Sequence, residues 1–348
     1  MKTSITHQLL AFTKLLSMVL VIALILALLQ SCEDPGSDIA PEEDLDTIMT
    51  DTLDNQSNED QPINFDYFTE KADAVISDTT VYYYGQSVSN LKVKVYRCKD
   101  NTDSSRPMIL LGAGGAYRKY NQVSQVQDIC INLAKRGYVT GYYEYSLGEM
   151  NGETWLKSTQ DLIVAIRHFK KYATEFGIDP DKIFSGGWST GAQISMYAAY
   201  MSPEDYNNVD QEFIHQLLDA EIETNGYYPE QYAEIDSHVK GTVLLMPYVW
   251  DLDIFQADEP AVMMICNEKS TFSNGAKVWG SVSVNGVVNY GPNLMNDKFE
   301  SLGYEPGKDL EFVITDPSLD SKWSYLNYTP LDKMYFDDIA GFLHRNLD

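Results

Sequence analysis

The sequence predicts an α/β fold, a mostly parallel sheet of eight strands with helices on both faces. Three observations predict it. Short apolar runs recur through the chain and several are separated by stretches of helical period, the alternation that builds a parallel sheet buried on both sides. Beyond position 63 about 285 residues remain, which suffices for one large domain with a full core. At 183–192 an apolar strand-like run passes directly into a helix-like run rich in small residues through Gly187-Trp188-Ser189-Thr190-Gly191.

The chain opens on a segment that does not belong to the fold. Lys2 and Lys14 precede an apolar run at 15–29, too short for a comfortable membrane span but suited to the core of a signal peptide. Its end, Leu29-Gln30-Ser31-Cys32, resembles the cleavage box of bacterial lipoproteins. That resemblance implies removal of 1–31, a lipid on Cys32 and residence in the bacterial cell envelope at the outer membrane, on its periplasmic or surface face. Residues 33–63 hold eleven acidic side chains and no Lys or Arg, so this stretch is expected to be an extended, self-repelling tether.

Composition narrows the partners. Loss of Lys2 and Lys14 takes the formal charge from −26 to −28, which disfavours nucleic acid and anionic headgroups and leaves the N-terminal lipid as the expected membrane contact. Cys98, Cys130 and Cys266 remain after Cys32 and are expected to be small buried residues. Their spacing resembles no metal-ligand pattern, and the sequence calls for no metal and no cofactor.

The elements follow in order. Runs at 81–84 and 91–96 read as two antiparallel strands, the second cleanly alternating. A short buried strand at 107–111 comes next, then a helix at 123–135 ended by Gly137, and a strand at 138–145. A long amphipathic helix at 154–176 is stopped by Gly177 and the Asp179-Pro180 pair. The strand and helix around Ser189 follow, then a polar, Tyr-rich insertion at 203–237 with helical pieces. Apolar strands at 239–246, 261–266 and 310–314 and a helix at 331–347 complete the domain, 64–348.

Gly187 to Gly191 spells G-x-S-x-G, in which glycines flank a serine because side chains there would collide with a sharp strand-to-helix turn. With Val95-Tyr96-Arg97, the run Leu133 to Val139 leading to Glu144-Tyr145, and Gly177-Ile178-Asp179-Pro180-Asp181-Lys182-Ile183, the chain resembles the esterase/lipase branch of the α/β-hydrolases. The likeness is to small bacterial carboxylesterases related to feruloyl and acetyl-xylan esterases, and it runs over about residues 81–346. It implies an α/β-hydrolase fold with Ser189 as nucleophile and an oxyanion hole from the backbone N–H groups of Gly115, Ala116 and Thr190. It also implies a small-molecule or oligosaccharide ester as substrate.

The family pattern is not complete. Its loop usually reads His-Gly-Gly-(Gly/Ala)-aromatic, and here Ala113 takes the histidine's place before Gly114-Gly115-Ala116-Tyr117. The resemblance places the acid after the strand at 261–266, where Glu268 is the first candidate and Asp251 and Asp253 after the preceding strand are the second. The base should follow the last strand, but 315–325 contains no histidine. His7 leaves with the signal; His168 and His344 read as helix-surface or helix-end residues. His215 and His238 stay candidates, as does Lys322 near the missing histidine's place. Two readings follow, an esterase with an unusual base and a hydrolase fold kept as a ligand-binding or scaffolding lipoprotein. Tyrosine clusters at 82–84, 142–145 and 227–232 suit either a sugar-stacking pocket or strand packing.

Overall fold

Eight of the strands share one sheet, whose central strands are largely apolar and buried on both faces. The computed structural model describes residues 64–71, 74, 76–83, 90–202, 205, 230, 232–267, 279–284, 287–315 and 334–348. The expected signal segment, Cys32 and the tether lie outside them, as do most of the insertion, Glu268 and Lys322. The strands are β1 (Ile76–Tyr83), β2 (Leu91–Cys98), β3 (Arg106–Gly112), β4 (Val139–Tyr143), β5 (Ile178–Trp188), β6 (Gly241–Leu245), β7 (Ala261–Cys266), β8 (Ser281–Val284), β9 (Val287–Tyr290) and β10 (Leu310–Ile314). The main sheet runs β1-β2-β4-β3-β5-β6-β7-β10, while β8 and β9 form a separate antiparallel pair. β1–β2 and β2–β4 are antiparallel and every later pairing is parallel.

Alternation along the central strands sorts the core into two layers. Met108, Leu110, Leu244, Val262 and Met264 enter one cluster; Ile109, Leu111, Val243, Leu245, Met263 and Ile265 enter the other. The first layer is covered by α2 (Gly152–Lys171), α4 (Thr190–Tyr200) and α5 (Pro292–Ser301). The second is covered by α1 (Val123–Ala134) and α6 (Met334–Arg345). Asn151 caps α2 by accepting the Thr154 N–H, which satisfies one of the helix's unpaired donors.

The structure departs from the sequence reading at two boundaries. β1 starts at Ile76 rather than 81, because this edge strand carries polar side chains and an Asp78–Lys94 ion pair that hydropathy does not mark. The long helix ends at Lys171, and Ala173–Phe176 is a separate short turn, α3. Gly177 then ends α3 in the left-handed conformation (φ 63°), as a C-terminal glycine does, while Arg106 donates to the Gly177 and Phe176 carbonyls. The hairpin β8–β9 and helix α5 are additional to the elements expected.

Because β4, β3, β5, β6, β7 and β10 run parallel, their carboxyl ends lie along one side of the sheet. Gly112, Tyr143, Trp188, Leu245, Cys266 and Ile314 mark that side, and it is where parallel sheets bind ligands.

Candidate active site at the carboxyl edge

Ser189 stands between the end of β5 and the start of α4 with φ 50° and ψ −106°, a backbone conformation rare outside glycine. Two hydrogen bonds fix it there: its N–H donates to Leu245 at 2.8 Å and its carbonyl accepts the Gln193 N–H at 2.9 Å. The glycines make the turn sterically possible. A Cβ on Gly187 (φ 153°) would stand 2.7 Å from the Gly191 carbonyl carbon. On Gly191 it would run into the Gly112 carbonyl and stand 2.9 Å from the Ala113 oxygen. The elbow therefore packs backbone to backbone against the loop that leaves β3.

That loop is closed on itself. Gly114 and Asn121 exchange two backbone hydrogen bonds of 3.1 and 2.8 Å, and Ala116 (φ 53°) and Tyr117 (φ 63°) turn the chain between them. Five of the nine non-glycine residues with positive φ among the described residues, Ala116, Tyr117, Gln122, Ser189 and Met246, collect at this edge. Strain of this kind persists only where surrounding structure over-determines it.

Tyrosines support the loop. The buried Tyr145 hydroxyl donates to the Ala113 carbonyl at 2.9 Å, with the Gly114 carbonyl at 3.4 Å. Tyr145 is held in turn by Tyr120, whose hydroxyl accepts the Tyr145 N–H and donates to the Tyr145 carbonyl. The Tyr117 hydroxyl reaches Gln193 Oε1 at 2.6 Å and ties the loop to α4. Sequence reasoning missed these supports, since the partners lie tens of residues apart and meet only through strand order. Burial pushes the Tyr145 and Tyr117 phenols well above their ordinary pKa, so both stay protonated donors.

Among the expected oxyanion donors, Thr190 provides the first N–H of α4, which has no partner within its own helix. The Ala116 N–H donates to the Thr190 hydroxyl at 2.8 Å. Gly115 (φ 133°) lies between the Gly114 bridge and Ala116, with its carbonyl accepting from Arg118.

The sheet order is β1-β2-β4-β3-β5-β6-β7-β10 with an antiparallel β2, and the tight Ser189 turn follows β5. The profile of the family described as BD-FAE matches residues 93–240. Thermogutta terrifontis esterase 2 phosphorylated by paraoxon superposes with a TM-score of 0.54 at 16% identity, covering 76% of this chain and 91% of that one. Its apo form gives 0.53 at 17%, covering 78% and 94%. The propionate-bound form gives 0.53 at 16%, covering 76% and 92%. The chain has the α/β-hydrolase fold. No curated protein matches its sequence.

Within this hydrolase fold, the positions expected for the acid and the base lie partly outside the described residues. Glu268 lies outside the described residues, but the strand end before it is fixed: buried Asn267 donates to the Thr315 hydroxyl at 3.0 Å, and the Thr315 N–H bonds Cys266 at 2.8 Å. β7 and β10 therefore release the chain side by side at the carboxyl edge. Asp253 is turned away into an ion pair with Lys298 of α5 at 2.8 Å, and its N–H donates to Asp251.

The described histidines are not brought to Ser189. His168 packs on Tyr172, Phe176 and Tyr232 near the amino end of β5, where burial and then Lys171 lower its pKa. His238 is exposed just before β6, also at the amino edge. His344, in the last turn of α6, lies beside Phe68. His215 and Lys322 lie outside the described residues. Tyr83, Tyr142 and Tyr143 are buried in the core, so these members of the tyrosine clusters serve packing. All three described cysteines are buried and free, and burial pushes the Cys130 thiol up to about 12.

Proposed function

We propose that this chain is a lipid-anchored serine carboxylesterase that cleaves acyl esters, acylated carbohydrates among them, through Ser189. The observation that carries the reading is the strained Ser189 backbone at the mouth of α4, facing the glycine loop. A binding module gains nothing from holding a serine at φ 50°. In this reading the Ser189 oxygen attacks the ester carbonyl, its proton passes to a base, and the alcohol leaves to give an acyl-enzyme that water hydrolyses. The N–H groups of Gly115 and Thr190 stabilise the oxyanion, helped by the positive end of the 11-residue helix α4. Glu268 serves as the acid, and the base comes from His215 or Lys322. The fold neighbour's paraoxon and propionate complexes support acyl-sized esters and serine-directed phosphorus probes as ligands here.

The absence of a histidine beside Ser189 among the described residues favours a second reading, a hydrolase fold kept as an anchored ligand-binding module. One experiment separates them. The chain from residue 33 is treated with a fluorophosphonate and assayed on a short-chain aryl ester, with Ser189→Ala as control. Labelling and turnover that vanish in the control support the esterase, and His215→Ala and Lys322→Ala then identify the base. A folded protein that neither labels nor turns over is a binding module. For the anchor, incorporation of labelled palmitate into the full chain should be lost in Cys32→Ala.

A further inference from the structure

Resting on the esterase reading, we infer that the side-chain amide of Gln122 is a donor to the oxyanion and replaces the Ala116 N–H. Three observations converge on it. First, Ala116 is already committed, its N–H donating to Thr190 Oγ1 at 2.8 Å. Second, the Gln122 amide reaches the serine's neighbourhood. A Cβ placed on Gly114 would collide with Gln122 Oε1 while standing 3.2 Å from the Trp188 carbonyl and 3.4 Å from Ser189 Cβ. The amide, the elbow and the glycine loop therefore meet at one point. Third, Gln122 holds the left-handed conformation (φ 59°, ψ 26°) at the start of α1 without using its side chain to cap that helix. A residue at a helix start that neither caps nor relaxes its backbone has its side chain aimed elsewhere.

The chemistry needs only a hydrogen bond. When Ser189 Oγ bonds to the acyl carbon, the carbonyl π pair moves onto oxygen and the serine proton goes to the base. The Gln122 amide neither gives up nor accepts a proton. Rotation about its last torsion turns the NH2 end rather than the oxygen toward the developing charge. A neutral amide in a partly dry site is well suited to this, since it stabilises the oxyanion without binding the neutral ester more tightly.

The test uses the full mature chain carrying Gln122→Ala, Gln122→Gly or Gln122→Glu. It reads kcat and KM on an aryl ester and the inhibition constant of a trifluoromethyl ketone, whose serine adduct carries an oxyanion. Loss of one such donor lowers kcat on the order of 10²-fold, with KM little changed and the ketone weakened by a similar factor. Gln122→Gly relieves the left-handed backbone, so it should unfold no earlier than wild type while losing the same rate. That split separates lost chemistry from lost structure even if the alanine variant misfolds. The ratio of Gln122→Glu to wild-type kcat should rise as pH falls from about 8 to 5, because only the protonated carboxyl can donate. Wild-type kcat in the glycine variant, a loss confined to KM, or a flat ratio across pH overturns the assignment while Ser189 remains the nucleophile. A folded wild type that binds no ketone overturns the assignment and the esterase reading together.

Discussion

Ser189 was legible in the sequence because steric necessity writes itself into glycines, and Gly187 and Gly191 are where a Cβ would strike backbone. Its supports were not legible. Tyr145 holds the Ala113 carbonyl, but a phenol that reaches a carbonyl 32 residues away leaves no periodic signal. The role predicts a specific loss. Tyr145→Phe removes a buried donor and leaves the Ala113 carbonyl without that partner, which costs about 1–3 kcal/mol. Thermal unfolding should move down by several degrees. Ester kcat should also fall, because the loop carrying the Gly115 N–H loses its fixed position. Tyr142→Phe, on the opposite core layer, should leave kcat unchanged. Equal kcat in both variants would show that the loop holds its shape without Tyr145.

At the scale of elements, the central strands were readable because burial on both faces produces unbroken apolar runs. The edge strand β10 was read at its observed bounds, but the start of β1 and the additions were not. β1 carries the polar run 77–80, and the hairpin β8–β9 is short, although Asn285-Gly286 between two Val-rich runs is a turn signal. α5 begins on Pro292, a helix-start residue. Titration is legible only at this scale, because it depends on which elements meet. Glu259 sits half-buried before β7 and accepts the Gln256 N–H at 2.7 Å, yet burial and then the nearby Asp205 charge raise its pKa from 4.5 to about 7. The folded state thus holds this proton more tightly than the unfolded chain does. Its contribution to stability is largest below pH 4.5 and is lost as pH rises toward 7. Glu259→Gln keeps the acceptor and removes the charge. With the group's partial exposure discounted, the variant should be more stable than wild type by about 1 kcal/mol at pH 8 and indistinguishable at pH 4. Urea unfolding at the two pH values checks this, and an equal difference at both would assign the effect to packing.

For the whole molecule, charge is the property that local reading handles best, since it needs no contacts. Of 51 acidic and 25 basic residues, eleven and two precede Gln61, which leaves −17 on the part that holds the sheet. Such a body carries a negative potential over its surface, and an anionic ester approaches Ser189 against it. A neutral ester does not feel that field. Salt shortens its reach, from about 30 Å at 0.01 M to about 8 Å at 0.15 M. Raising ionic strength over that range should therefore lower KM for an ester bearing a carboxylate on its alcohol or acyl part, while a neutral ester of equal size keeps its KM. Both should keep their kcat, because the field acts on encounter and binding rather than on the bond being broken. A KM for the anionic ester that does not move with salt would place a local cation at the mouth of the site strong enough to outweigh the net charge. Arg118 is positioned on the glycine loop to be tested for that, although Glu149 already pairs with it at 2.9 Å. The Glu149→Gln variant should then tighten binding of the anionic ester and leave the neutral one alone.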